Sequence, residues 1–236
     1  RSSDLGSRAT NPVDQWPDPD VYVNYMGQSL SGSENRNINR TYPGKADGTL
    51  TEMMSYGIVQ LINTENIDVT VDLHEASPEY PVINALIAHE RAMNLASNVV
   101  VDMQMEGVQI SLEPSPTDLR GLTHRELGDH TDTLALLMEA PNPAQGRLRD
   151  RTDEALVLTG KSETYVKAGE IGQLYVPYDE NGWPIEVRCA RHVFGIERIL
   201  ANYSEMYEEP IIVTGMPSYD ELVKNGMGPY LNEPTT

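Results

Sequence analysis

The apolar positions of this chain change period several times, and each change marks an element. Over residues 49–62, Leu50, Met53, Met54, Ile58, Leu61 and Ile62 recur at helical spacing, and Thr49 with Glu52 offers a capping box at the start. Residues 67–73 alternate and are β-branched, which predicts a strand running straight into His74. Residues 83–105 read as a long amphipathic helix with a break near 99–101, and it contains His89 and Glu90. Residues 108–112 read as a short strand and 113–132 as a polar loop. An apolar strand follows at 133–138, ending at Glu139 before Pro141 and Pro143. Beyond it, 152–158 and 162–168 read as helices and 173–177 as extended. Residues 184–206 form a strong helix pattern, with Cys189, Val193, Ile196, Leu200 and Tyr203 as its buried stripe. A strand at 211–213 and a short helix at 219–224 close the chain.

Strands alternating with helices predict an α/β fold with a mixed, mostly parallel central sheet and helices on both faces. We expect a single domain over 1–236. Its parts are a loop-rich lead-in at 1–47 with a short strand at 21–25, an insertion at 145–183, and a closing helix and tail at 184–236. Composition supports a core, at 39% hydrophobic residues. The net charge of −19 repels nucleic acid and anionic membranes, so neither is an expected partner. No apolar run approaches the roughly 20 residues of a membrane span, so a soluble protein is expected. The lone cysteine, Cys189, excludes a disulfide framework and a cysteine zinc site and favours a cytoplasmic compartment. The start at Arg1 reads as trimmed or incomplete, which leaves a lost leader as the alternative.

Two polar residues stand where α/β sheets collect their chemistry, at the carboxyl ends of strands. His74 offers an imidazole for zinc, and Asp72, two residues earlier on the same side, offers an acceptor to hold it. Glu139 offers a carboxylate to take a proton from water. Spacing alone also fits a hydrogen-bonded structural histidine and a solvated glutamate. A third element, residues 36–44, brings Arg36, Asn39 and Arg40, the groups that recognise a carboxylate. Its bland reading is a polar surface loop.

Together these segments resemble the zinc carboxypeptidase superfamily, in its succinylglutamate desuccinylase/aspartoacylase-like branch. The matching pieces are Asn11-Pro12, Asn37-Ile38-Asn39-Arg40-Thr41-Tyr42-Pro43-Gly44, Asp72-Leu73-His74 and Glu139-Ala140-Pro141, in family order. The resemblance implies the phosphorylase/hydrolase-like fold of that superfamily, with His74 as the third zinc ligand and Glu139 as the general base and acid. It also implies Asn39 and Arg40 as the grip on a substrate carboxylate, and Arg36 as the nearest candidate for the oxyanion arginine. The family's first two ligands come from a His-x-x-Glu motif, and no histidine here has Glu three positions later. One zinc ion with two ligands from outside this chain is therefore expected, and the chain reads as N-terminally incomplete. The segment holding His124, Arg125, Glu126 and His130 is expected to line the substrate pocket through His124 and Arg125, with substitute metal ligands or a structural or solvent-facing loop as alternatives.

The expected activity is zinc-dependent hydrolysis of an amide bond next to a free carboxylate, in a peptide C-terminus or an N-acyl amino acid. The rivals are a non-catalytic binding or scaffold relative and the C-terminal chain of a split enzyme with an N-terminal companion. Association into a homo-oligomer is a further expectation, placed on the insertion.

Overall fold

The structure, a computed structural model, describes residues 16–231 except Thr152. Asn11 and Pro12 lie outside the described residues. The chain begins with a hairpin, β1 (Val21–Val23) against β2 (Ser29–Ser31), in the register Tyr22↔Leu30. Asn24 makes its turn by accepting from the amides of Met26 and Gln28 through one side-chain oxygen. Two 3-10 turns follow, at Gly32–Arg36 and Ile38–Arg40.

Helix α1 (Leu50–Glu65) starts at the expected capping box, with Thr49 accepting from the Glu52 amide and Glu52 from the Thr49 amide. It stops at Asn66, which adopts a left-handed conformation at φ 51. β3 (Val69–Ala76) and β6 (Leu134–Pro141) each extend three residues past the expected ends at 73 and 138, so that His74 and Glu139 lie within strands. β4 (Ala85–Ala88) and β5 (Ser111–Pro114) complete a four-stranded sheet of order β3-β6-β4-β5. Hydrogen bonds from Leu134 N to Asp68 O and from Asn142 N to Ala76 O keep β3 and β6 parallel and in step. Those from Ser111 N to Asn84 O and from Ser115 N to Ala88 O do the same for β4 and β5, and His89 N to Ala135 O sets the antiparallel join. The fold is thus α/β with a mixed, mostly parallel sheet.

Several expected elements differ. The predicted helix over 83–105 is β4, then a 3-10 turn at Glu90–Ala92, then α2 (Met93–Met105). All of 85–88 is buried, and a strand buried on both faces has no alternation to distinguish it from a helix. His89 is therefore the cap of that turn and not a mid-helix residue. The predicted strand at 108–112 is shifted to β5. The predicted polar loop at 113–132 contains α3 (Thr123–His130), whose buried residues include His124, Arg125 and Glu126. Residues 173–177 make no strand; Tyr175 N donates one bond to Pro78 O. Residues 211–213 make none either: Ile211 N donates to Ser204 Oγ and Ile212 is 84% exposed.

The remaining helices are α4 (Glu154–Thr159), α5 (Glu163–Glu170), α6 (Ile185–Tyr207) and α7 (Tyr219–Asn225). The buried stripe of α6 is Arg188, Ala190, Arg191, Phe194, Gly195, Ile199 and Asn202, one step around from the predicted one. Two inward arginines carry that stripe, and a hydrophobicity pattern assigns arginine outward. At Gly195 an added Cβ would stand 2.2 Å from the Met138 methyl, so α6 meets β6 at close range there.

Cα proximity divides the described chain into two interleaved units. One holds the residues up to Asp72 with Ala88–Met93 and Pro114–Leu137, and the other Leu73–Ile87, Asn94–Glu113 and those from Met138 on. A core cluster of the first is Tyr42, Val59, Ile62, Leu127 and Ala135. Among the described residues, no helix is long and apolar enough to cross a membrane.

Candidate functional site

The in-step bonds at Asp68/Leu134 and Ala76/Asn142 fix the register between β3 and β6, and that register sets His74 opposite Glu139. Opposed residues on neighbouring strands point to the same face. Accordingly His74 Nδ1 lies 3.8 Å from Glu139 Oε1, with side chains 29% and 13% exposed. That separation is ion-pair range and longer than a hydrogen bond. An imidazole and a carboxylate are thereby held together near the carboxyl ends of two parallel strands, each still open to solvent.

The next residue on β3 faces the other way and is tied down. Glu75 accepts from Arg188 and, through Oε2, from Asn142 Nδ2 at 2.6 Å. Arg188 is 1% exposed, and its other bonds go to the carbonyls of Trp183 and Val157. A fully buried guanidinium must be paired and hydrogen-bonded, and here all its partners are supplied. His192, read from sequence as a packed or surface histidine, is half-buried. Burial pushes its imidazole below the usual value, against the opposing influence of Glu75 and the His74 backbone. Sequence reasoning singled out none of Glu75, Arg188 or Asn142. The available signal was an arginine inside an otherwise apolar helical face.

In the first unit, Asn39 is 9% exposed and its Oδ1 accepts from Thr123 N at 2.7 Å, at the first turn of α3. Thr123 Oγ1 in turn donates to Asp72 Oδ2 at 2.6 Å. The predicted clamp residue and the predicted zinc-supporting aspartate thus both hold the start of α3. Arg40 donates to the Asn39 carbonyl at 2.6 Å and stands 3.9 Å from Glu34. Arg36 is paired with Asp18 at 2.9 Å, which occupies the guanidinium expected to face an oxyanion. A cavity of about 260 Å³ in this unit is lined by Tyr42, Asp72, Thr123 and His124 among apolar side chains. Burial raises the Tyr42 phenol well above its ordinary value, and the Asp72 charge adds to the effect.

His124 reaches that cavity as expected for a pocket-lining residue, with Nδ1 2.8 Å from Ser115 Oγ. Arg125 is used internally: it pairs with both Glu90 oxygens at 2.9 and 2.7 Å and with Asp129 at 2.7 Å. Those hydrogen bonds hold the Glu90 carboxyl down to about 2 and raise Arg125 further. Glu126, fully buried, accepts from Arg120 twice at 2.7 Å and from the Gly121 amide at 2.8 Å, with His130 3.3 Å away. The histidines and glutamate of α3 are thus engaged with protein partners. Among the described residues no group of three metal-donor side chains stands together.

No family model, no curated protein and no solved structure matches this chain.

Proposed function

We propose that this chain carries the base and one metal ligand of a zinc-dependent hydrolase acting on an amide bond next to a free carboxylate. The observation that supports this reading most is the His74–Glu139 pair, set opposite each other on adjacent parallel strands 3.8 Å apart. A neutral histidine is a common zinc donor, and a nearby carboxylate suits proton transfer to and from a leaving amine. His74 would hold the ion, with two further ligands from outside this chain, and bound zinc supplies Lewis-acid polarisation of the scissile carbonyl. Glu139 takes the proton of the attacking water and returns it to the amine that leaves. The carboxylate grip of Asn39 and Arg40, and the oxyanion role of Arg36, rest on the motif resemblance alone. The substrate class is a peptide C-terminus or an N-acyl amino acid.

Glu139→Gln tests the reading in the natural protein, whose intact mass and zinc content are measured first. Turnover of N-acyl amino acids should fall by about 10²–10⁴-fold while zinc content stays the same. Retained turnover would remove the role assigned to Glu139. A second reading, a non-catalytic scaffold, draws on the lack of three grouped donors among the described residues. A single metal-free chain in the natural protein would favour it, and one zinc per particle would sink it.

A further inference from the structure

The cavity of about 260 Å³ in the first unit has a place and a lining of its own. Its walls come from α1, α3 and the amino-terminal halves of β3 and β6, at 70–72 and 135–136. His74 and Glu139 stand further along those strands, toward the carboxyl ends. Tyr42, Ile62, Leu127 and Ala135 belong both to the lining and to the core cluster. Protein interiors are close-packed, and a void costs stability in proportion to its volume. A space of this size among core side chains therefore favours an occupant. An apolar cavity of roughly 150 Å³ already accepts a benzene-sized molecule. This one suits a single ring or a chain of a few carbons. Ile58, Thr70 and Val71 line it and are only half-buried, which gives such a molecule a way in.

The polar members of the lining are Tyr42, Thr70, Asp72, Thr123 and His124, and the rest is aliphatic. Two of them are fixed in place. Thr123 Oγ1 donates to Asp72 Oδ2 at 2.6 Å, and His124 Nδ1 lies 2.8 Å from Ser115 Oγ. The Asp72 charge reaches the buried Tyr42 phenol. No lysine or arginine lines the space. A carboxylate without a cationic neighbour in the lining repels an anionic ligand. A hydroxyl group suits it, because one donated bond satisfies the ligand. A buried ammonium needs several partners, more than aliphatic walls supply.

We infer that this cavity binds a small uncharged molecule, one ring or a short alkyl chain carrying a hydroxyl. The hydroxyl donates to Asp72, and the apolar body lies against Ile62, Leu127, Ala135 and Leu136. The inference does not draw on the hydrolase reading, whose substrate carries a carboxylate.

Calorimetric titration of the full chain with phenol, toluene, benzoate and benzylamine tests it. The four probes share one ring and differ in the group it carries. Phenol should bind about tenfold more tightly than toluene, as expected for a bond to a charged acceptor, and benzoate more weakly still. Ala135→Leu fills the cavity from its buried wall and should abolish phenol binding without lowering the thermal midpoint. Ile58→Phe fills it from the half-buried side and is read in the same way, should Ala135→Leu fail to fold. Asp72→Asn should shrink the preference for phenol over benzoate. No binding of phenol, equal binding of phenol and toluene, or tighter binding of benzoate or benzylamine would overturn the inference. Phenol binding that survives a folded filling variant, or a phenol preference unchanged in Asp72→Asn, would overturn it as well. All these readouts are binding or stability, so they stand apart from any test of turnover.

Discussion

Helix α3 and the carboxyl ends of β3 and β6 use the same side-chain types for opposite ends. On α3, His124, Arg125 and Glu126 are buried at 6%, 3% and 0% exposure, and the two charged ones are closed into ion pairs with Arg120, Glu90 and Asp129. At the strand ends, His74 and Glu139 are partly open and separated by more than a hydrogen bond. A buried charge survives only with full pairing, which leaves it no capacity for a ligand. A partly open pair held by strand register keeps capacity for a proton or a metal. Residue type therefore does not mark the candidate site; partial exposure at a position fixed by strand register does.

The sharpest test exchanges the two glutamates. Glu126→Ala leaves Arg120 and the Gly121 amide without their acceptor, and should cost on the order of 3–5 kcal/mol in urea unfolding. Glu139→Gln keeps the shape of a partly exposed side chain and should change the same measurement by less than about 1 kcal/mol. Equal costs would erase the distinction between the regions.

Acid separates them more mildly. Glu90 titrates at about 2 in the folded chain because of its bonds to Arg125, below its unfolded value. Its stabilising contribution is present above the ordinary glutamate range and is lost as pH falls toward 2. The thermal midpoint should drop over that window, and Glu90→Gln should flatten the drop. Glu90 is largely exposed, so the effect is screened and modest. An unchanged slope in Glu90→Gln would contradict the assignment.

The smallest effect is expected at Ser115. Removing its hydroxyl leaves the buried His124 Nδ1 without that contact, so Ser115→Ala should cost about 1 kcal/mol in chemical denaturation. No change would mean that the His124 ring is held by its other neighbours.

The capping box at Thr49 and Glu52, the two strands carrying His74 and Glu139, and helices α4, α5, α6 and α7 follow from short-range pattern. Cap chemistry, alternation and helical period are local and survive in a linear string. The helix predicted over 83–105 holds for 93–105 and fails before it, because β4 is buried throughout and has lost its alternation. α3 went unseen because its inward face is charged, and the stripe on α6 slipped one step because Arg188 and Arg191 point inward. In each case the partners that make burial possible lie far along the chain: Glu75 for Arg188, Asn84 and Gln109 for Arg191, Glu90 for Arg125.

The sequence by itself determined the α/β alternation and the candidacy of His74 and Glu139, because strand periodicity and residue chemistry are written locally. Only the tertiary structure decided that these two stand opposite each other, since register between β3 and β6 depends on backbone bonds between segments about 65 residues apart. It alone also decided that Arg36 and Arg125 are spent on internal ion pairs, because a charge becomes available or consumed according to what folding brings beside it.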